Sequence, residues 1–248
     1  MPANPAKENQ GDLALRDVWV FDLDNTLYPA ECDLFAEIDQ RMTDFVARFL
    51  RLPRPEARRI QKSYYVNHGT TLNGLMSLHG MDPAEFLAHV HEIDLSPLPH
   101  LPDLADAIGG LPGRKYVFTN GSRYHAERVT AHMGLGGVFD GQFSIEDGAY
   151  LPKPATAAYE AFCAHFSVDP KKAVFFEDLA RNLVPAQRMG FATVLVQSDH
   201  TARYEPQAVR PSSPGDDLPV EIDYVTANLT SFLSDLTAKL TADWNRND

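Results

Sequence analysis

Two carboxylates, Asp22 and Asp24, stand two residues apart where the apolar run DVWVFD (17–22) gives way to Asn25 and Thr26. At the end of a strand, one carboxylate can attack phosphorus and form an aspartyl-phosphate. Its neighbour can protonate the departing alkoxide and later deprotonate water. A like charge so close tends to raise one of the two pKa values, which suits that division of labour. Taken alone, the pair is equally an acidic loop or an N-cap. A second candidate is Thr119-Asn120-Gly121-Ser122, after another apolar run and before a helical pattern. Its hydroxyl, amide and backbone N–H groups suit a phosphate dianion at a helix N-terminus, although a turn with an N-cap uses the same residues.

Lys153 lies between Pro152 and Pro154, which restrict the backbone on either side. A point charge held there would neutralise both Asp22 and a transferred phosphoryl group, whereas most lone lysines are merely solvated. Glu177 and Asp178 close a further apolar run, AVFFE (173–177), with Asn182 one helical turn on. Magnesium takes a few carboxylate oxygens and keeps water, so Asp178 is the expected direct ligand beside Asp22 and the backbone carbonyl of Asp24. Glu177 and Asn182 are expected to orient metal-bound waters. An acidic helix N-terminus accounts for each acid separately. It does not account for the set. The four features fall at the ends of three expected strands, or just before a helix, and together supply every part that phosphoryl transfer needs.

The elements that must position these groups follow from periodicity. Short apolar runs at 17–22, 115–119, 173–177 and 192–196, with a weaker one at 222–225, read as parallel strands buried on both faces. Helical stripes separate them: Val129 with Met133, Ala155 with Tyr159, Phe162 with Phe166, and Leu179, Leu183 and Ala186. Alternation of this kind predicts an α/β fold with a doubly wound parallel sheet. Residues 30–100 differ. Leu34, Ile38, Met42, Phe45 and Phe49, then Ile60 and Tyr64, then Phe86, Leu87 and Val90, predict a helical cap inserted into the core. The expected organisation is a mobile N-terminal tail over 1–12, an α/β core over 13–29 and 101–248, and a cap over 30–100. A loop is expected at 205–219.

Composition excludes several classes. With 44% hydrophobic residues among 248, the chain can bury a sizeable core, yet no apolar run is long enough for a membrane span. A formal net charge of -12 argues against a nucleic-acid polymer as partner. The two cysteines, Cys32 and Cys163, match no metal or redox spacing and fit a reducing compartment. The start of the chain lacks the apolar centre of a secretory signal, so a cytoplasmic location is expected. The oligomeric state stays open.

The sequence resembles the haloacid dehalogenase superfamily of hydrolases, whose motifs are similar to DLDNT (22–26), TNG (119–121), KP (153–154) and EDLARN (177–182). The resemblance implies a flavodoxin-like core, a Mg²⁺ cofactor, Asp22 as nucleophile and Asp24 as acid/base. It also implies Thr119 and Lys153 as phosphate-binding residues and Asp178 as a metal ligand. Asp24, absent from the dehalogenase branch, favours a phosphatase; Asn182 stands where many relatives carry another acid. DNTLYP (24–29), YYVNHGTTLNGL (64–75), HGMDPAEF (79–86) and TNGSRYHAERV (119–129) look like the pyrimidine 5′-nucleotidase branch. That implies a small phosphomonoester substrate, with UMP or CMP as candidates. Sugar phosphates, phosphoglycolate or other small phosphometabolites, a phosphomutase, and an inactive phosphate-binding protein are the alternatives. Substrate choice should arise in the cap, where Tyr64, Tyr65, His68 and Asn73 could stack on or hydrogen-bond to a base, with Arg123 offering charge-assisted bonds. At helical spacing Tyr64 and Tyr65 cannot both face the site, and His125 reads as a helix-surface residue.

Overall fold

A computed structural model describes residues 10–198, 212–218 and 222–247 of the protein. Its frame is a six-stranded sheet of Val18–Phe21 (β1), Arg114–Phe118 (β2), Gly141–Phe143 (β3), Ala173–Glu177 (β4), Ala192–Val196 (β5) and Tyr224–Thr226 (β6). All neighbours are parallel, in the order β3-β2-β1-β4-β5-β6. That is the doubly wound arrangement expected, with the 3-2-1-4-5-6 strand order of the Rossmann type. The order reverses between β1 and β4, and the crevice outside their carboxyl ends is where such sheets bind ligands.

The strands sort their side chains by period two. Trp19, Phe21, Val117, Val174, Phe176 and Val194 enter one core cluster, whereas Val18, Val20, Phe118, Ala173, Phe175 and Leu195 enter the other. The second cluster is closed by Thr156–Phe166 (α7) and Ala180–Met189 (α8) through Tyr159, Phe162, Leu183 and Ala186. The first is closed by Pro102–Gly109 (α5), Arg123–His132 (α6) and Leu229–Asn247 (α9). Phe21 stacks on Phe176 across β1 and β4 with ring centroids 4.6 Å apart. Each such fully buried side chain contributes about 1.5–3 kcal/mol, so β1 and β4, which lead to the acids and are buried throughout, are firmly anchored.

Between β1 and α5 the chain runs through the inserted helices Leu34–Leu50 (α1), Arg54–His68 (α2), Thr71–His79 (α3) and Pro83–Val90 (α4). Their packing follows the sequence stripe: Leu34, Ile38 and Phe45 are buried along α1, and Phe86 and Val90 along α4, with Phe45 and Phe86 edge to face at 5.1 Å. Gly74 on α3 lets α2 approach closely, since a Cβ there would lie 2.5 Å from that of Tyr64.

Some elements differ from expectation. The short edge strand β3 left no clear pattern, because it buries only Phe143 of its three residues, whereas helix α5, not expected from the sequence, buries Leu104, Ala107 and Ile108 at helical spacing. The last strand occupies Tyr224–Thr226 rather than 222–225. Residues 10–12, assigned to a tail, belong to a 3-10 turn, Gln10–Leu15; residues 1–9 lie outside the described residues. Of the loop expected over 205–219, residues 212–218 are described and the others lie outside. Ser212 ties that loop to the core, donating its N–H to the Asp178 carbonyl at 2.9 Å and accepting the Ala180 N–H on Oγ at 3.2 Å. Among the described residues no helix is long and apolar enough to cross a membrane.

Candidate active site

Asp22 follows β1 directly, and its N–H continues the ladder by donating to the Phe176 carbonyl at 2.9 Å. Glu177 ends β4 and Asp178 follows it, so the acids of two adjacent strands meet at the switch point. Thr119 follows β2, its N–H donating to the Phe143 carbonyl at 3.0 Å. The Thr119 hydroxyl accepts from the Gly121 N–H at 2.9 Å, which folds the loop tightly before α6.

Lys153 is brought to this group from the segment between β3 and α7. It is 1% exposed, and Nζ donates to Asp22 Oδ1 at 2.6 Å, Glu177 Oε2 at 2.8 Å and the Phe118 carbonyl at 2.8 Å. All three ammonium donors are therefore used. Asn120 clamps the lysine backbone from both sides, donating Nδ2 to its carbonyl at 3.1 Å and accepting its N–H on Oδ1 at 2.8 Å. The Phe118 and Phe175 rings lie 5.1 and 5.2 Å from Nζ.

One lysine faces three buried acids, and the shortfall of positive charge appears as retained protons. Burial, then the negative charge of Glu177, pushes Asp22 up to about 8 despite Lys153. Burial, with Glu177 and Asp22 beside it, holds Asp178 well above the usual carboxylate range. Burial alone would lower Lys153, but Asp22 and Glu177 outweigh it and keep the ammonium charged.

Asp24 has a different environment. Its Oδ1 accepts from His125 Nε2 at 2.7 Å and from the Tyr28 hydroxyl at 2.7 Å. Burial pushes this carboxyl up, yet the charge and hydrogen bond of His125, helped by Tyr28, bring it down to about 2. Two carboxylates two residues apart are thus driven in opposite directions: without a cation, Asp22 keeps its proton and Asp24 does not.

The donor set fits a divalent cation. Asp22, Glu177 and Asp178 offer oxygens that all lie within 4.8 Å of one another. Glu177 already uses both oxygens, on Lys153 Nζ and on the Leu179 N–H at 3.2 Å, which leaves Asp22 and Asp178 the more open ligands. Asn182 is 2% exposed beside them, and its Oδ1 has no protein partner. An orphaned buried acceptor there suits the O–H of a metal-bound water.

A cavity of about 630 Å³ runs from Asp22, Thr119 and Lys153 out beneath the inserted helices, where Phe35, Tyr65 and Phe86 are among its walls. Of the cap residues singled out in the sequence, Tyr65 lines this cavity, with the Arg181 guanidinium 4.4 Å from its ring centroid. Burial pushes the Tyr65 hydroxyl up to about 12. Tyr64 turns away and bonds His79 Nε2 at 2.7 Å. Asn73 donates to the His68 carbonyl at 2.8 Å, and neither residue lines the cavity. Arg123 pairs with Asp147 at the surface, also outside it.

His125 corrects the sequence expectation: it is 1% exposed and bonded to Asp24 rather than lying on the helix surface. The signal was the Val129–Met133 stripe, which reaches His125 when extended back by four. Tyr28 sits one helical-type spacing after Asp24, but only the turn that follows β1 brings it round to the carboxylate.

Fold and site together define an α/β protein with a buried acidic cluster at the switch point of a parallel sheet, covered by inserted helices. Residues 17–190 match the family model of the haloacid dehalogenase-like hydrolases, and the chain belongs to that family. Among curated relatives, phosphate metabolism protein 8 of Saccharomyces cerevisiae is 29% identical over 77% of this chain and 64% of its own length. Enolase-phosphatase E1 of Shewanella frigidimarina is 30% identical over 50% of this chain and 51% of its own. The chain therefore spans less than two thirds of these relatives. Among solved structures, a HAD phosphatase from Thermococcus onnurineus aligns over 89% of this chain and 97% of its own, with a TM-score of 0.55 at 20% identity. The HAD-hydrolase YfnB of Bacillus subtilis, solved bound to magnesium, gives 0.56 at 15% identity over 89% and 98%. At such identities the likeness is one of fold.

Proposed function

We propose that the protein is a magnesium-dependent phosphomonoester hydrolase with Asp22 as nucleophile, acting on a pyrimidine nucleoside 5′-monophosphate such as UMP or CMP. The observation that carries the chemistry is the convergence of Asp22, Lys153, Glu177 and Asp178 at the switch point, with Asp24 beside them on His125 and Tyr28. The mechanism requires that cation and phosphate binding free Asp22 of its proton and give Asp24 one, the reverse of their metal-free states. Asp22, Asp178 and the Asp24 backbone carbonyl would hold Mg²⁺, which when bound supplies charge neutralisation for the phosphoryl oxygens. The Thr119 hydroxyl and the backbone N–H of Asn120 bind and orient the phosphoryl group, with Gly121 shaping the loop through its bond to Thr119 and Lys153 acting as a fixed positive charge beside it.

A carboxylate oxygen of Asp22 attacks phosphorus in line. As the new O–P bond forms, the bond to the ester oxygen breaks, its electron pair stays on that oxygen, and the proton of Asp24 is transferred to it. Asp24 then takes a proton from water, whose oxygen attacks phosphorus, and the Asp22–phosphorus bond breaks to return the carboxylate and free phosphate. The inserted helices exclude bulk water from the reacting atoms.

Support for the nucleotide comes from the cavity, whose size lies in the range of small-molecule sites and whose wall includes the Tyr65 ring. A second reading, hydrolysis of another small phosphometabolite, draws on the enolase-phosphatase relatives. A phosphate-release screen of UMP, CMP, purine nucleotides and sugar phosphates, with and without EDTA, separates the two. Preference for UMP and CMP is expected; no preference removes the pyrimidine claim, and full activity in EDTA removes the metal.

A further inference from the structure

We propose that His125 is a positioning residue that fixes the Asp24 carboxylate through Oδ1 and turns Oδ2 towards the phosphate loop. The inference rests on the phosphatase reading above and adds a residue that the four motifs do not contain.

His125 Nε2 and the Tyr28 hydroxyl both donate to Oδ1 of Asp24, and among the described residues neither they nor any other side chain bonds Oδ2. Oδ2 faces the loop after β2, 3.7 Å from where a Cβ on Gly121 would stand. Two donors on one oxygen fix the carboxylate plane and concentrate negative charge there. Oδ2 is then the oxygen presented to the leaving group, on the side of the phosphate loop.

The imidazole is itself held in place. His125 lies three residues past the N-cap Ser122, whose Oγ accepts the His125 N–H at 3.2 Å. Ser122 Oγ is also 2.8 Å from His91 Nδ1, so its own hydroxyl proton is available to that nitrogen. The His91 ring stacks on His125 with centroids 4.5 Å apart and planes 17° apart. His91 is the residue that ends α4, and Arg128 on α6 grips its carbonyl at 3.1 Å and that of Ile93 at 3.2 Å. The last inserted helix therefore backs the ring that aims Asp24, and the acid is in register only when that helix is seated.

Leaving-group dependence tests this. A nucleoside 5′-alkoxide needs the proton of Asp24, whereas p-nitrophenolate departs without it, and kcat/KM reports the first bond-breaking step. His125→Asn, too short to reach Oδ1, is expected to lower kcat/KM for UMP by about 30- to 300-fold and that for p-nitrophenyl phosphate by less than about 3-fold. His125→Gln, which can present an amide N–H at the Nε2 position, is expected to recover at least about a tenth of wild-type activity on UMP. Equal losses on both esters, or no loss on UMP, overturn the proposal. Should His125→Asn not fold, Tyr28→Phe removes only the other donor on Oδ1 and must show the same selectivity; a uniform loss is then decisive against it. Wild-type protein that hydrolyses neither ester instead overturns the phosphatase reading itself.

Discussion

A carboxyl group pushed up to about 8, as Asp22 is, penalises the metal-free fold wherever the unfolded chain has already released that proton. Between the ordinary value of 3.8 and about 8 the folded state binds more protons, so stability falls as pH rises through that window. Asp22→Asn removes the penalty. In EDTA the variant should be more stable than wild type in urea unfolding at pH 7.5 and nearly equal to it at the acid end. Its turnover should fall by at least about 10³-fold in a phosphate-release assay. His91 has the opposite sign. Burial, helped by the charge of His125, lowers it from 6.5 to about 3, so its contribution is complete above pH 6.5 and is lost as pH falls towards 3. Replacing it by Gln should flatten that part of the stability profile, by up to about 3 kcal/mol at pH 4.

Helices α2 and α3 pack closely, and the closeness depends on one residue. Any side chain at Gly74 collides with the Cβ and ring of Tyr64, backbone-proximal atoms that cannot swing aside. Gly74→Ala should therefore cost about 1–3 kcal/mol in thermal or urea unfolding. Tyr64 in turn is tied to α3 through His79, which explains why it stabilises the insertion while its neighbour faces the cavity. Tyr65 meets Arg181 from α8, and Arg181 Nη2 also reaches the Gly69 carbonyl at 3.4 Å, so one core side chain holds the carboxyl end of α2. A stacking contact is worth about 0.5–1.5 kcal/mol. Tyr65→Ala should accordingly raise KM for UMP by about 2- to 10-fold while leaving kcat for p-nitrophenyl phosphate within about 2-fold. Equal KM for UMP in the two proteins would remove Tyr65 from substrate recognition.

For the whole molecule, 34 acidic side chains against 22 basic ones place the chain in negative excess, and the acidic centre concentrates part of that excess in the interior. Protons retained on Asp22 and Asp178 must leave when a divalent cation binds. Calorimetric titration of Mg²⁺ at pH 7 in buffers of different ionisation enthalpy should show proton release, and affinity should rise from pH 6 to pH 8. A pH-independent affinity would place the cation elsewhere. Binding to the folded state alone should also raise the melting temperature with Mg²⁺ concentration, a shift that Asp178→Ala removes.

Much of this was legible before any folding. Apolar runs that end in chemistry-bearing residues located the strands, and the expected site residues Asp22, Lys153, Glu177 and Asp178 do converge, because buried parallel strands must release their polar residues at the same edge. The inserted helices were legible in a stripe such as Leu34, Ile38 and Phe45 for the same reason of periodicity. Strand β3 was not, since a three-residue edge strand buries too little to leave a pattern. Nor could the sequence choose between Tyr64 and Tyr65, because helical phase relative to the cavity is set by how α2 packs on α1 and α3. His125 shows the limit most clearly: it stands 101 positions from Asp24, and only the sheet order and the seating of α6 bring Nε2 to within 2.7 Å of that carboxylate. Local pattern determined which residues had to leave the core together; tertiary packing decided which donor each carboxylate received, because the partners come from elements far apart in the chain.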